Sequence, residues 1–279
     1  MLDSGHVAGI LLANSSISPA LSVLSNYLNG EKILGTISCL AALHDVGKCH
    51  PFFQLNILAG NQEKIGALLQ EGLLFNDDLA TRAFRHEAES SSILYKYLVG
   101  KLENRKRIRA VTKIVALHHQ HAGHPPSVFF NSERYAKWDE EQRALVEQVC
   151  EYFQPDWGIF DKCTHLDASC VLIWGLVMLS DWLASGQEAF LLDETLDNEA
   201  YSAQSLDAAA RAVAQAGFSP VAALPDEGIL RLFPTIPPGG LRPVQRACEA
   251  LRKKWIADRD WPLVALIEAP MGEGKTEAA

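Results

Sequence analysis

From residue 1 to about 190 the apolar residues recur three and four positions apart, and few runs alternate at the two-residue period of a half-buried strand. A chain with that period buries its apolar stripes by packing helix on helix, so this part is expected to be all-α. "ALSVLSNYLNG" (20 to 30) reads as a helix stopped by Gly30, and "HEAESSSILYKYLVG" (86 to 100) as one ending at Gly100. "IRAVTKIVALHHQH" (108 to 121) gives a third, and "HLDASCVLIWGLVMLSDWLAS" (165 to 185) a long buried one.

Two interruptions organise the rest. Pro125 and Pro126 break the helix before them and open an exposed loop in "HAGHPPSVFFNSERY" (121 to 135). Near residue 186 the composition turns acidic and alanine-rich, and four prolines and two glycines fall between 234 and 243. The reading is therefore a domain over 1–190, a linker region over 191–240, and the start of a second domain over 241–279. In that last part "VQRACEALRKKWIADRD" is helical, and "WPLVALIEAP" (261 to 270) has the length of a strand that opens into "MGEGKTEAA".

With 279 residues and 48% hydrophobic content, the chain can fill a sizeable core. The run "VLIWGLVMLS" stops at Asp181, short of the roughly 20 apolar residues a membrane helix needs. "MLDSGH" has no basic region of the kind that opens a signal peptide. A cytoplasmic protein without a membrane partner is expected. Six cysteines lack any CxxC pair and sit in or near apolar runs, which reads as reduced thiols. The net charge of −9 argues against coating nucleic acid by bulk electrostatics. It leaves room for a nuclease whose metal ions attract the phosphates.

The histidines carry the chemistry. His44 and Asp45 are adjacent in "LAALHDVGKCH", His86 begins a helix, His118 and His119 are adjacent near the end of another, and Asp181 lies near the end of the long apolar one. His6 stands near the N-terminus. Each alone is more often a cap or a core residue. Together they are the imidazoles and carboxylates that divalent transition metals take, and helices of a bundle can aim them at one cavity. A shared Asp45 carboxylate can bridge two ions, as two-metal phosphoryl-transfer sites require. His50, His121, His124 and His165 fit no such pattern.

The order of His6, "HD" at 44 and 45, His86, "HH" at 118 and 119, and Asp181, with "LHDVGK" at its centre, resembles the HD superfamily of metal-dependent phosphohydrolases over residues 1 to about 190. The resemblance implies an HD-domain helical bundle with a dinuclear metal site.

At the other end, "IEAPMGEGKTEAA" places Gly272, Gly274, Lys275 and Thr276 after an apolar run. Glycines admit backbone N–H groups to phosphate oxygens, the lysine meets the terminal phosphates, and the threonine hydroxyl can ligate Mg²⁺. With Ala269 in the first glycine's place, the pattern AxxGxGKT resembles motif I of superfamily 2 helicases, at the start of a RecA-like α/β domain. "LRPVQRACEAL" loosely resembles the segment in which such helicases place an adenine-reading glutamine, which makes Gln245 a candidate. The sequence holds no Walker B acid, second RecA-like lobe or arginine finger after Thr276, so ATP hydrolysis is expected only of a longer protein.

An HD domain followed by a helicase motif I resembles the helicase-nuclease family of type I CRISPR systems. The resemblance implies a nuclease cutting single-stranded DNA, recruited by the Cascade surveillance complex with its CRISPR RNA and fed by an ATP- and Mg-dependent helicase. It implies one ion held by His6, His44, Asp45 and Asp181, and a second by Asp45, His86, His118 and His119, the ions being Fe, Mn, Co or Ni. Asp45 and Lys48 are the candidate catalytic residues, Lys48 as a cation for the transition state. "KLENRKRIR" (101 to 109) is a basic run read as a solvated helix face or a DNA track, and Phe129 and Phe130 are loop aromatics that can stack on bases. An HD phosphohydrolase of nucleotides or cyclic nucleotides is the alternative enzyme, and a non-catalytic docking module the alternative of another class.

Overall fold

The computed structural model describes residues 1–14, 18–28, 32–75, 84–119, 135–186, 190, 195–218, 228–257 and 265–278. Gly30, His121, His124, the Pro125–Pro126 break, Phe129 and Phe130 lie outside the described residues. The chain divides into two compact units, Met1–Ser219 and Pro220–Ala279.

In the first unit the helices are α1 (Leu2–Ala13), α2 (Ser18–Leu28), α3 (Ile33–Leu43), α4 (Pro51–Ile57), α5 (Gln62–Gln70), α6 (His86–Leu98), α7 (Arg105–Ala116), α8 (Ala136–Phe153), α9 (Leu166–Ser185) and α10 (Asn198–Gln215). Short 3₁₀ turns at Val46–Lys48 and Trp157–Phe160 complete it. The expected helices over 86–100, 108–121 and 165–185 correspond to α6, α7 and α9, with α7 ending before the histidine pair.

The α3 sequence "ILGTISCLAAL" is apolar almost all round, and a helix of that kind is stable only when it is surrounded. Ile37, Leu40, Ala41, Ala42 and Leu43 are all fully buried. Helices α1, α8, α9 and α7 pack around α3, and its C-terminal end carries "HD" out of the core. Tight approach at that end depends on Gly47. A Cβ there would run into the His86 carbonyl oxygen and lie 2.5 Å from the Ser90 backbone nitrogen. Without one, the Gly47 N–H donates to Ser90 Oγ at 2.8 Å and the turn seats on the start of α6.

Helix α9 is, by length and composition, long and apolar enough to cross a membrane, contrary to the expectation from the apolar run that stops at Asp181. Here Ile173, Leu176 and Val177 join the core. Helix α10 lies within the stretch read as linker. It packs on α1 through the small residues Ala209 and Val213, whose four-residue spacing keeps them on one face.

The second unit contains α11 (Gly228–Leu232), α12 (Pro243–Ala257) and α13 (Lys275–Ala278). Residues 265–270, the described part of the expected strand, are irregular, and among the described residues there is no strand beyond a single Val99–Leu102 bridge. The RecA-like α/β arrangement is therefore not seen, because a strand needs a neighbour to take its N–H and C=O groups. The described residues offer this one none.

Candidate metal centre

Four helix ends converge. His44 caps the C-terminus of α3 and Asp45 follows it, His86 opens α6, His118 and His119 follow the last turn of α7, and Asp181 lies in the last turns of α9. At helix ends side chains are free of the packed stripe, which is why ligands can gather there without breaking the core.

Two of the rings are aimed by their own helices. His44 Nδ1 donates to the Ala41 carbonyl and His118 Nδ1 to the Val115 carbonyl, each at 2.6 Å. The proton on Nδ1 leaves the lone pair on Nε2, the nitrogen that points into the cluster. His44 Nε2 lies 3.3 Å from Asp45 Oδ2 and 3.3 Å from Asp181 Oδ1. Asp45 turns its other oxygen the opposite way: Oδ1 is 3.1 Å from His86 Nε2 and 3.6 Å from His118 Nε2. His119 Nε2 lies 3.1 Å from His86 Nε2. The ligand atoms of His86, His118 and His119 fall within 4.8 Å of one another, as do those of His44, Asp45 and His118.

The donor set fits divalent cations. His44 Nε2, Asp45 Oδ1 and His118 Nε2 are buried, yet none of the three completes a hydrogen bond. Buried polar atoms rarely stay unsatisfied, and three around one point mark a place for a cation. Burial opposes charge on His44, but the Asp181 and Asp45 carboxylates raise its pKa to about 9. Burial and then the His44 charge lower His118 to about 4. Burial pushes both carboxyls up, but the close histidine nitrogens overcome it, and Asp45 and Asp181 sit below their ordinary value.

Of the residues singled out from the sequence, His44, Asp45, His86, His118, His119 and Asp181 come together. Lys48 joins them at the edge, its Nζ 2.5 Å from Asp45 Oδ2. His6 does not. Its Nδ1 bonds Ser205 Oγ and its Nε2 bonds Tyr152 OH, each at 2.8 Å, so both nitrogens are spent on hydroxyls of α10 and α8. The ligand assignment for His6 is corrected accordingly. His50 caps α4 and stacks on Phe52 and Phe84, and His165 lies against Tyr27. In the basic run, Arg107 donates to the Phe160 carbonyl, a structural use.

Supporting residues escaped the sequence reading. Gln142 donates to the Cys49 carbonyl at 2.7 Å and holds the turn after "HD". Trp174 donates to the Leu117 carbonyl at 2.9 Å, just before the histidine pair, and Ser185 donates to Asp181 Oδ1 at 2.9 Å. Only Ser185 carried a sequence signal, its four-residue spacing from Asp181 on one helix.

In the second unit Gly272 and Gly274 take φ values of +83° and +74°, which suit glycine. A cavity of about 680 Å³ is lined by Arg242, Gln245, Gly272, Gly274, Lys275 and Thr276 among others. Gln245 donates to the Gly274 carbonyl at 3.3 Å, and Lys275 donates to the Ala269 and Pro270 carbonyls. The four expected phosphate-binding residues and the candidate glutamine thus share one cavity.

A family model described as "Cas3, HD domain" matches residues 1–190. The CRISPR-associated endonuclease/helicase Cas3 of Thermus thermophilus is 28% identical over 291 residues, covering 100% of this chain and 30% of that protein. The CRISPR-associated nuclease/helicase Cas3 of Streptococcus thermophilus is 25% identical over 312 residues, covering 99% and 31%. The chain thus spans about 30% of the length of these curated relatives. Among solved structures, one titled "Crystal structure of CRISPR-associated protein" superposes with a TM-score of 0.67 at 25% identity, covering 99% of this chain and 31% of that one. T. fusca Cas3-ADP superposes with a TM-score of 0.63 at 24% identity, covering 100% and 31%, a likeness of fold.

Proposed function

The chain belongs to the Cas3 HD-domain family, and on that premise we propose that it is a metal-dependent nuclease cutting single-stranded DNA in type I CRISPR interference. The observation that carries this reading is Asp45, whose Oδ2 faces His44 while its Oδ1 faces His86 and His118. One cation would be held by His44, Asp45 and Asp181, and a second by Asp45, His86, His118 and His119. The imidazole-rich set suits Mn, Fe, Co or Ni better than Mg. Bound there, the ions would supply Lewis acidity and a nucleophilic hydroxide for attack on a phosphodiester. The chain's own residues fix the tautomers of His44 and His118, hold Asp45 between the two sets, and bring the Lys48 ammonium to the edge where charge develops on the phosphoryl oxygens.

The partners that follow are single-stranded DNA and the Cascade complex with its CRISPR RNA, in the cytoplasm. The second unit's cavity takes the phosphates of ATP with Mg²⁺ as part of a helicase, a longer assembly than this chain. Cleavage of circular single-stranded DNA with Mn²⁺ or Ni²⁺ tests the reading. Cleavage lost in His44→Ala with Asp45→Ala is the expected result. No cleavage by the metal-loaded protein, with turnover of a free nucleotide instead, would overturn it in favour of a nucleotide phosphohydrolase.

A further inference from the structure

Asp181 and Trp182 are consecutive on α9 and meet different surroundings. Asp181 turns inward to His44, whereas Trp182 is 58% exposed. Trp138 and Trp174 both give their indole N–H to a backbone carbonyl, and Trp157 is buried. Among the described residues, none engages the Trp182 indole by a hydrogen bond or a ring contact. A tryptophan carries the largest apolar side-chain surface, so leaving most of it in water forgoes a substantial part of its burial energy.

Its position gives that exposure a use. Met178, Trp182 and Ser185 follow one another at four- and three-residue spacing and share a face of α9. Ser185 donates to Asp181 Oδ1, so this face borders the ligand cluster directly. Past the cluster, Phe53 lies with its ring centroid 5.5 Å from that of His86, and Lys48 Nζ sits 5.7 Å from the Phe53 centroid. Phe53 is thus half-buried and engaged by His86 and Lys48, whereas Trp182 offers a more open ring. A phosphodiester held at the cluster by the cations bound there would bring its own nucleobases alongside, and an indole face is the surface on which an unpaired base stacks. Bases within a duplex have both faces covered by their neighbours and cannot use it.

Resting on the nuclease reading above, we propose that Trp182 is a positioning residue whose indole stacks on a nucleobase beside the phosphodiester held at the cluster, and so favours unpaired strands.

The test uses fluorescence anisotropy of a labelled oligo(dT) with metal-free protein, and steady-state cleavage of the same oligonucleotide with Mn²⁺. Trp182→Ala is expected to raise both Kd and KM about 10-fold while kcat falls far less, the size of one lost base stack. Trp182→Phe restores most of the binding. Val171→Ala, on the same helix and 60% exposed, matches the parent protein. Hydrolysis of bis(p-nitrophenyl) phosphate, which has no nucleobase, falls less in Trp182→Ala than oligonucleotide cleavage does. Parent-like Kd and KM in Trp182→Ala, or a Trp182→Phe protein as weak as the alanine variant, overturns the stacking proposal alone. A parent protein that neither binds the oligonucleotide nor cleaves either substrate overturns the nuclease reading and this proposal with it.

Discussion

Asp45 Oδ1 lies 3.6 Å from His118 Nε2, and both atoms are buried without a completed hydrogen bond. Asp45→Asn keeps the size of the side chain but replaces one oxygen with an NH₂ that cannot ligate. Metal content by mass spectrometry is expected to fall from two ions to one or none. Nuclease activity falls by more than the roughly 10–100-fold that changing a ligand's hydrogen-bond partner costs.

Protons and cations compete for His44 Nε2. With its pKa raised to about 9, His44 must lose a proton before it can ligate, so apparent metal affinity rises with pH by up to about tenfold per unit until about pH 9. Calorimetric titration of the chelated protein with Mn²⁺ at three pH values checks this, together with the proton released. In the chelated protein the sign for stability is the reverse. A folded-state pKa above the unfolded value stabilises fully below pH 6.5, and that contribution is lost as the pH rises through about 9.

Gly47→Ala drives a methyl group against backbone atoms of His86 and Ser90, which cannot rotate away. Overpacking of this kind costs about 1–3 kcal/mol, and it also moves Asp45 relative to His86. A lower Tm and weaker metal binding are expected together. A variant that loses stability and retains metal affinity would show that the turn and the site are independent.

Lys48→Met removes a cation from Asp45 Oδ2. Metal affinity should hold or rise, because the carboxylate loses a competing partner, while kcat drops by about 10–100-fold if the ammonium serves the transition state. Measuring both separates a catalytic lysine from a structural one.

His6→Ala leaves Ser205 and Tyr152 short of one partner each, at a cost of about 1–2 kcal/mol in stability. Metal stoichiometry should not change. A loss of one ion would restore His6 to the ligand set.

Much of the candidate site was legible because its residues recur in the order of a known set of motifs, although each alone reads as a cap or a core residue. "HD", "HH" and the Asp at the end of an apolar run each mark a place where a periodic stripe stops. His6 fitted the order of motifs equally well, but the direction of its ring is decided by α10, whose hydroxyls claim it, and α10 lies in a stretch that read as linker. Its mixture of alanine and charge resembles a solvated segment until α1 is there to cover Ala209 and Val213. Residues 265–270, the described part of the expected strand, are irregular for a related reason: apolar length marks a buried segment, but pairing is a property of two segments, and the described residues hold only one. Gln142 and Trp174 were invisible because their donors reach carbonyls far away in the chain.

The Ala41 and Val115 carbonyls that hold His44 and His118 belong to the final turns of α3 and α7. Final turns are the first part of any helix to fray. Here Ala41 and Val115 are themselves fully buried in the core, so opening either turn, and with it freeing an imidazole from its anchor, would carry the cost of exposing core residues. Ion escape from this centre would then be slow, keeping time with the unwinding of a buried helical turn, and residence would follow how tightly the core beneath that turn is packed.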